Sequence, residues 1–161
     1  MIEITMDTRA IDAALARLRA NVNDMLPAMH DLGALVTGRV YGGFRDTTNP
    51  YGSPWAALAE STIRKRRNQS NKPLNDTGRL MNSITFNPSR FEVTIGTKEK
   101  YGITHQQGAA KGQYGLTRRG TPIPWGTIPA REFLPTQAGG FPATWEADIL
   151  QIIARHIERS V

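Results

Sequence analysis

Eight apolar side chains, Ile11, Leu15, Leu18, Val22, Met25, Met29, Leu32 and Val36, recur at spacings of 4-3-4-3-4-3-4. At 3.6 residues per turn this spacing sets all eight in one stripe, so the chain is predicted to begin with a long amphipathic helix. Such a stripe must be covered, either as a coiled-coil seam or, more commonly, by the sheet of its own domain. Asp7 or Thr8 is placed to cap the start. Pro27 lacks a backbone donor and is predicted to kink or interrupt the helix near Asn23, and Gly42-Gly43 to end it. Ahead of the helix, Ile2, Ile4 and Met6 alternate with polar residues, the pattern of a short opening strand.

Downstream, residues 45–54 are rich in Asn, Pro, Gly and Ser and read as an ordered loop. A short basic helix is expected over residues 57–68, then a turn and cap at Asn75-Asp76-Thr77-Gly78 before a short helix at Arg79-Leu80-Met81. Residues 83–87 and 91–97 read as a hairpin joined by Pro88-Ser89-Arg90, with Phe91, Val93 and Ile95 on the buried face. Residues 101–107 fit either a strand or a short helix. Residues 108–126 are rich in glycine and poor in apolar anchors, which makes them a long Gly-rich loop of the kind that is functional or disordered. Residues 128–134 read as a final edge strand, since Pro129 and Pro135 bar a central position. Trp145, Ile149, Ile152, Ile153, His156 and Ile157 mark a closing amphipathic helix. This order predicts an α+β fold: a small antiparallel sheet packed against a long N-terminal helix and a C-terminal helix, in one domain over residues 1–161.

With 161 residues, 39% of them hydrophobic, the chain is long enough to bury a core. It contains no cysteine, which excludes disulfides and thiolate metal sites. Its first residues lack the basic start and apolar run of a signal peptide, and no stretch approaches the roughly 20 apolar residues that cross a bilayer. His30, His105 and His156 lie far apart, outside any metal-ligand spacing, and no Gly-x-Ser-x-Gly elbow is present. Residues 33–40 resemble a phosphate loop superficially, but Arg39 and Val40 stand where Lys and Ser/Thr are required, within a helix. Asp7, Asp12, Asp24 and Asp31 are best explained as charge on a wet helix face. The expectation is therefore a protein without catalytic residues, metal or cofactor.

The net charge of +6 is unevenly spread. Residues 60–120 hold 12 Lys or Arg against 4 Asp or Glu, while the two flanks together hold 8 against 10. Arg64, Lys65, Arg66 and Arg67 form the densest cluster. Four adjacent cations point around much of a helix, so they suit nonspecific phosphate contact and not the reading of one groove. Plain solvation of a charged face is the simpler alternative. No zinc finger, RNA-recognition signature or base-stacking aromatic pattern accompanies the cluster.

Four segments then form a recognisable series. Pro50, Gly52, Trp55, Leu58 and Thr62 follow a Pro-x-Gly-x-x-Trp-x-x-Leu pattern with a Thr a few residues on. Leu74, Thr77, Gly78, Leu80, Ser83 and Ile84 follow Leu-x-x-Thr-Gly-x-Leu-x-x-Ser-Ile. Ile95-Gly96-Thr97, Tyr101 and His105-Gln106-Gln107-Gly108 make the third, and Ile128-Pro129-Ala130-Arg131-Glu132-Phe133-Leu134 the fourth. In this order they resemble the phage virion-morphogenesis family of Mu G-like or tail-completion proteins. Gly102 stands where that family usually has Ala, and Glu132 where it has Pro.

The resemblance implies a non-enzymatic α+β subunit, made in a bacterial cytoplasm, that oligomerises at the head–tail junction, usually as a sixfold ring. Tail completion, tail termination or attachment at the neck would be its task, with the tail-tube protein and a neck, connector or stopper protein as partners. A head-side connector, or a nonspecific DNA-binding accessory to packaging, is the alternative. Read physically, most motif residues are structural: Trp55 as a core anchor, Gly78 and Gly96 as backbone-conformation residues, with Thr77, Leu80, Tyr101, His105 and Gly108 around them. Pro129, Arg131 and Phe133 sit on the expected edge strand, where a ring can pair one subunit with the next. Arg131 there is an ordinary surface cation, a local salt-bridge partner, or half of an intersubunit pair. Packaged duplex DNA passing through a ring would meet cations without having its bases read, so Arg64, Lys65, Arg66, Arg67, Lys111, Arg118 and Arg119 are expected to face the lumen or an acidic neighbour.

Overall fold

Pro27 lies in the first turn of a helix instead of the middle of one. The computed structural model describes residues 9–66 and 70–158, with Ile11 described by its backbone alone. Helix α1 (Arg9–Asn23) closes where the Asp24 amide bonds the carbonyls of Ala20 and Asn21 at 3.0 and 3.1 Å. Helix α2 (Leu26–Asp46) then restarts with Pro27 where a missing N–H costs nothing. The interruption expected near Asn23 is thus a full break between two helices. The stripe continues across it as Met25, Met29, Leu32 and Val36, all buried. The predicted opening strand at Ile2, Ile4 and Met6, and the cap at Asp7 or Thr8, lie outside the described residues.

Gly42-Gly43 does not end α2, as the sequence suggests; the helix runs on to Asp46. Two apolar residues beyond the eight explain this. Val40 and Phe44 extend the stripe, and Phe44 is fully buried, so packing outweighs the helix penalty of the glycines. Thr47, in the left-handed conformation at φ 57°, finally stops it.

Strands β1 (Ile84–Pro88) and β2 (Val93–Thr97) pair antiparallel in the register Ile84↔Thr97, Phe86↔Ile95 and Pro88↔Val93. The connection is residues 89–92, closed by the Ser89 amide on the Glu92 carbonyl at 2.7 Å. Phe91 therefore lies outside the ladder and is 61% exposed, with the Arg90 guanidinium over its ring at 4.9 Å. Helix α2 packs on both strands. The approach is close because residue 33 is glycine: a Cβ there would stand 2.2 Å from Cδ2 of the Phe86 ring.

Between α2 and the hairpin come α3 (Glu60–Lys65) and α4 (Arg79–Asn82), and after it α5 (Gly102–Gln107) and α6 (Ala143–Glu158). The ambiguous stretch 101–107 is thus a helix. Trp145 of α6 joins Val36, Val40, Phe44, Trp55, Leu80, Ile84 and Phe133 in the larger core. Ile149, Ile152 and Ile153 cover a second core of Met25, Ala28, Met29 and Leu32. An ion pair between Arg39 and Asp148 ties α6 to α2. The class is α+β, with a two-stranded sheet against the helices.

Candidate functional site

Residues 128–134 form no strand ladder, contrary to expectation. Ile128 makes a single bridge, its N–H and C=O exchanging bonds with Ala109 at 2.8 and 2.9 Å. Beyond Pro129 a side chain takes over: Gln106 Oε1 accepts from the amides of Phe133 and Leu134 at 3.0 and 3.1 Å, and its Nε2–H donates to the Leu134 carbonyl at 2.8 Å. The Arg131 amide bonds the His105 carbonyl at 2.7 Å. The segment is thus pinned to α5, not open for strand pairing, and Phe133 points into the core.

Of the three readings open for Arg131, the ordinary surface cation is ruled out, and among the described residues it forms no local salt bridge. It is 6% exposed, and its Nε–H and Nη2–H donate to the carbonyls of Ala56 and Ala57 at 2.7 and 2.9 Å. Those carbonyls are thereby held out of a helix, which explains why α3 begins at Glu60 and not at Ala57. Trp55, just before them, buries its ring edge-on against Phe44 and donates Nε1–H to the Glu132 carbonyl at 2.7 Å. The core-anchor reading of Trp55 is what the structure shows.

Around Arg131 opens a cleft of about 720 Å³, walled by α3, the turn before α4, α5 and residues 124–131. It gathers residues that are distant in sequence: Lys65 and Arg66 from one wall, Thr77, Gly78 and Leu80 from the next, Tyr101 just before α5 and His105 within it, Pro129 and Arg131 from the last. Arg66 donates to the carbonyls of Lys72 and Ser70 at 2.6 and 3.3 Å. Gly78 adopts φ 75°, as its reading as a backbone-conformation residue requires. Gly96 does not: it sits in β2 without a positive φ.

The electrostatics are positive. Burial, then the charges of Arg131 and Arg66, hold His105 below the ordinary imidazole pKa, and its Nδ1 is buried with no hydrogen-bond partner. Burial and the neighbouring Arg66 also lower Arg131, which stays cationic all the same. Arg79 is raised by its hydrogen bond to Glu99, at 2.9 Å. The Tyr101 phenol is raised by burial and by Glu99. At the mouth, Lys65 Nζ stands 5.7 Å from the ring centre of Trp125, which is 68% exposed. Sequence reasoning passed over Trp125, although a lone Trp in a glycine-rich stretch was a visible signal, and gave Gln106 no role beyond its place in a motif.

The stretch expected as a loop leaves the cleft as a self-paired arm. Tyr114 N–H bonds the Ile123 carbonyl at 2.8 Å, Ile123 N–H the Gly115 carbonyl at 2.8 Å, and Thr117 N–H the Thr121 carbonyl at 2.8 Å. Gly108, at φ 75°, lets the arm leave α5: a Cβ there would stand 2.8 Å from the Ala130 nitrogen and the Ile128 oxygen. Arg118 and Arg119 occupy the tip, between Thr117 and a Gly120 with φ 74°. Tyr114, Leu116 and Ile123 are exposed along it. Lys111, Arg118 and Arg119 are therefore on the arm and do not line the cleft, while Arg64 is exposed on α3 and Arg67 lies outside the described residues.

Among the described residues no group of three or more His, Asp or Glu could hold a metal ion, and no helix is long and apolar enough to cross a membrane. No solved structure matches the chain. A protein of Haemophilus influenzae (strain ATCC 51907 / DSM 11121 / KW20 / Rd), Mu-like prophage FluMu G protein 2, is 30% identical over 159 residues, covering 98% of this chain and 97% of that one. The phage virion morphogenesis family, which is structural rather than catalytic, matches residues 6–158. With the match spanning both cores, the cleft and the arm, the chain belongs to the phage virion morphogenesis family.

Proposed function

We propose that the chain is a structural subunit, not an enzyme, that assembles into a ring at the head–tail junction of a phage particle and completes the tail. The observation that carries this reading is the arm. Its backbone is cross-bonded to itself at several points, yet it holds Leu116 67% exposed and Trp125 68% exposed. Large apolar side chains kept in water along one arm suit a surface made for another chain. The cationic tip at Arg118 and Arg119 suits an acidic neighbour or the phosphates of DNA in the lumen. Family membership and the likeness to a Mu-like prophage G protein support a role in building the virion.

The test is the mass of the purified protein in solution, alone and with the tail-tube subunit of the same phage. An assembly of about six copies, alone or nucleated by the tube protein, supports the ring. A monomer that ignores the tube protein but binds duplex DNA, with an affinity falling steeply with salt, would favour a DNA-binding accessory instead.

A further inference from the structure

We infer that the cleft receives an extended segment of a partner protein, one that carries a carboxylate beside an apolar side chain. The hydrogen bonds of Arg131 to Ala56 and Ala57 satisfy two of its donors but leave its charge unopposed. Among the described residues neither Arg131, Arg66 nor Lys65 forms an ion pair. A buried guanidinium without a counter-ion is costly, and proteins ordinarily pair it. Here it borders a cavity, beside a second guanidinium and a buried imidazole nitrogen that has no partner. Asp76 is the one carboxylate among the lining residues, and the fourth lining cation, Arg79, is met by Glu99.

The remaining surface decides what else the occupant carries. Leu80 and Ile128 line the cleft and Trp125 flanks it, so an apolar side chain next to the carboxylate would be buried. A volume of about 720 Å³ holds a few extended residues. Duplex DNA fits less well: its phosphates lie on a convex surface that cations set around a cleft do not follow, and it offers this apolar lining nothing to bury. The inference goes beyond the ring reading and does not depend on it.

The experiment uses the full chain and a short fluorescein-labelled peptide of alternating Glu and Leu. Its counterpart with Lys in place of Glu, and a short DNA duplex, serve as competitors. Trp55 and Trp145 are buried and Trp125 is exposed, so a blue shift of tryptophan emission reports occupancy at Trp125. The acidic peptide should bind with that shift, the Lys peptide should not compete, and Lys65→Glu should weaken binding at least about tenfold. Arg155→Gln on α6, away from the cleft, should change nothing. Lys65 is exposed, so an unchanged melting temperature confirms that its variant folds. No binding of the acidic peptide, equal binding by Lys65→Glu, or displacement of the peptide by the duplex would each overturn the inference. Failure to form rings would leave it standing, because the titration is read on the isolated chain.

Discussion

Replacing Arg131 by methionine removes two charge-assisted hydrogen bonds and leaves the carbonyls of Ala56 and Ala57 without those donors. Relief of a buried, unopposed charge offsets part of that loss. The net expectation is a destabilisation of about 2 kcal/mol, read from urea unfolding at neutral pH. An unchanged midpoint would mean that water replaces the guanidinium. His105 adds a pH dependence whose sign follows from its lowered pKa. Below the ordinary imidazole value near 6.5 the unfolded chain takes up this proton before the folded one does, so stability falls as the pH drops from neutral toward 5. His105→Gln should flatten that fall, and equal slopes for the two proteins would rule His105 out as its source. Neither role could be read from sequence, because Arg131 meets its carbonyl partners across 74 and 75 positions.

The arm leaves α5 at Gly108. Gly108→Ala adds a left-handed strain and a Cβ 2.8 Å from the backbone of Ala130 and Ile128. The expected loss is about 2 kcal/mol, with faster protease cleavage between residues 109 and 128. Arg118→Glu with Arg119→Glu should leave the melting temperature unchanged, because the tip contributes nothing to either core. The same pair should impair head–tail joining, read as infectivity of the assembled phage; normal infectivity would remove the tip from the mechanism. At this scale the sequence was a fair guide where spacing decides the outcome. The 4-3 stripe located α1 and α2, and alternation located β2. It misled where one side chain replaces a ladder, as Gln106 does along residues 133–134, and where Phe44 carries a helix through two glycines.

Across the whole molecule, the two cores are unequal. The larger joins α2, α4, β1, α6 and the loop residues Trp55 and Phe133, whereas the smaller depends on α6 covering the first turns of α2. Helix α1 packs on α6, with Leu15 and Val22 about half exposed. The sequence announced the α+β class and the helix-spanning stripe, yet it could not show that Leu15 and Val22 of that stripe stay about half exposed in the single chain. Coverage depends on which surfaces arrive from elsewhere, and that information is absent from periodicity. A helix with so little burial opens locally at low free-energy cost. Amide hydrogens of α1 should therefore exchange at least about tenfold faster than those of α2 between Leu32 and Phe44, a difference of about 1.4 kcal/mol. The proposed ring adds a second arm to this measurement. If neighbouring subunits cover Leu15 and Val22, protection of α1 should rise on assembly while that of α2 stays constant. Protection that rises in the arm alone would instead assign the subunit contact to residues 109–128, leaving Leu15 and Val22 to a later partner.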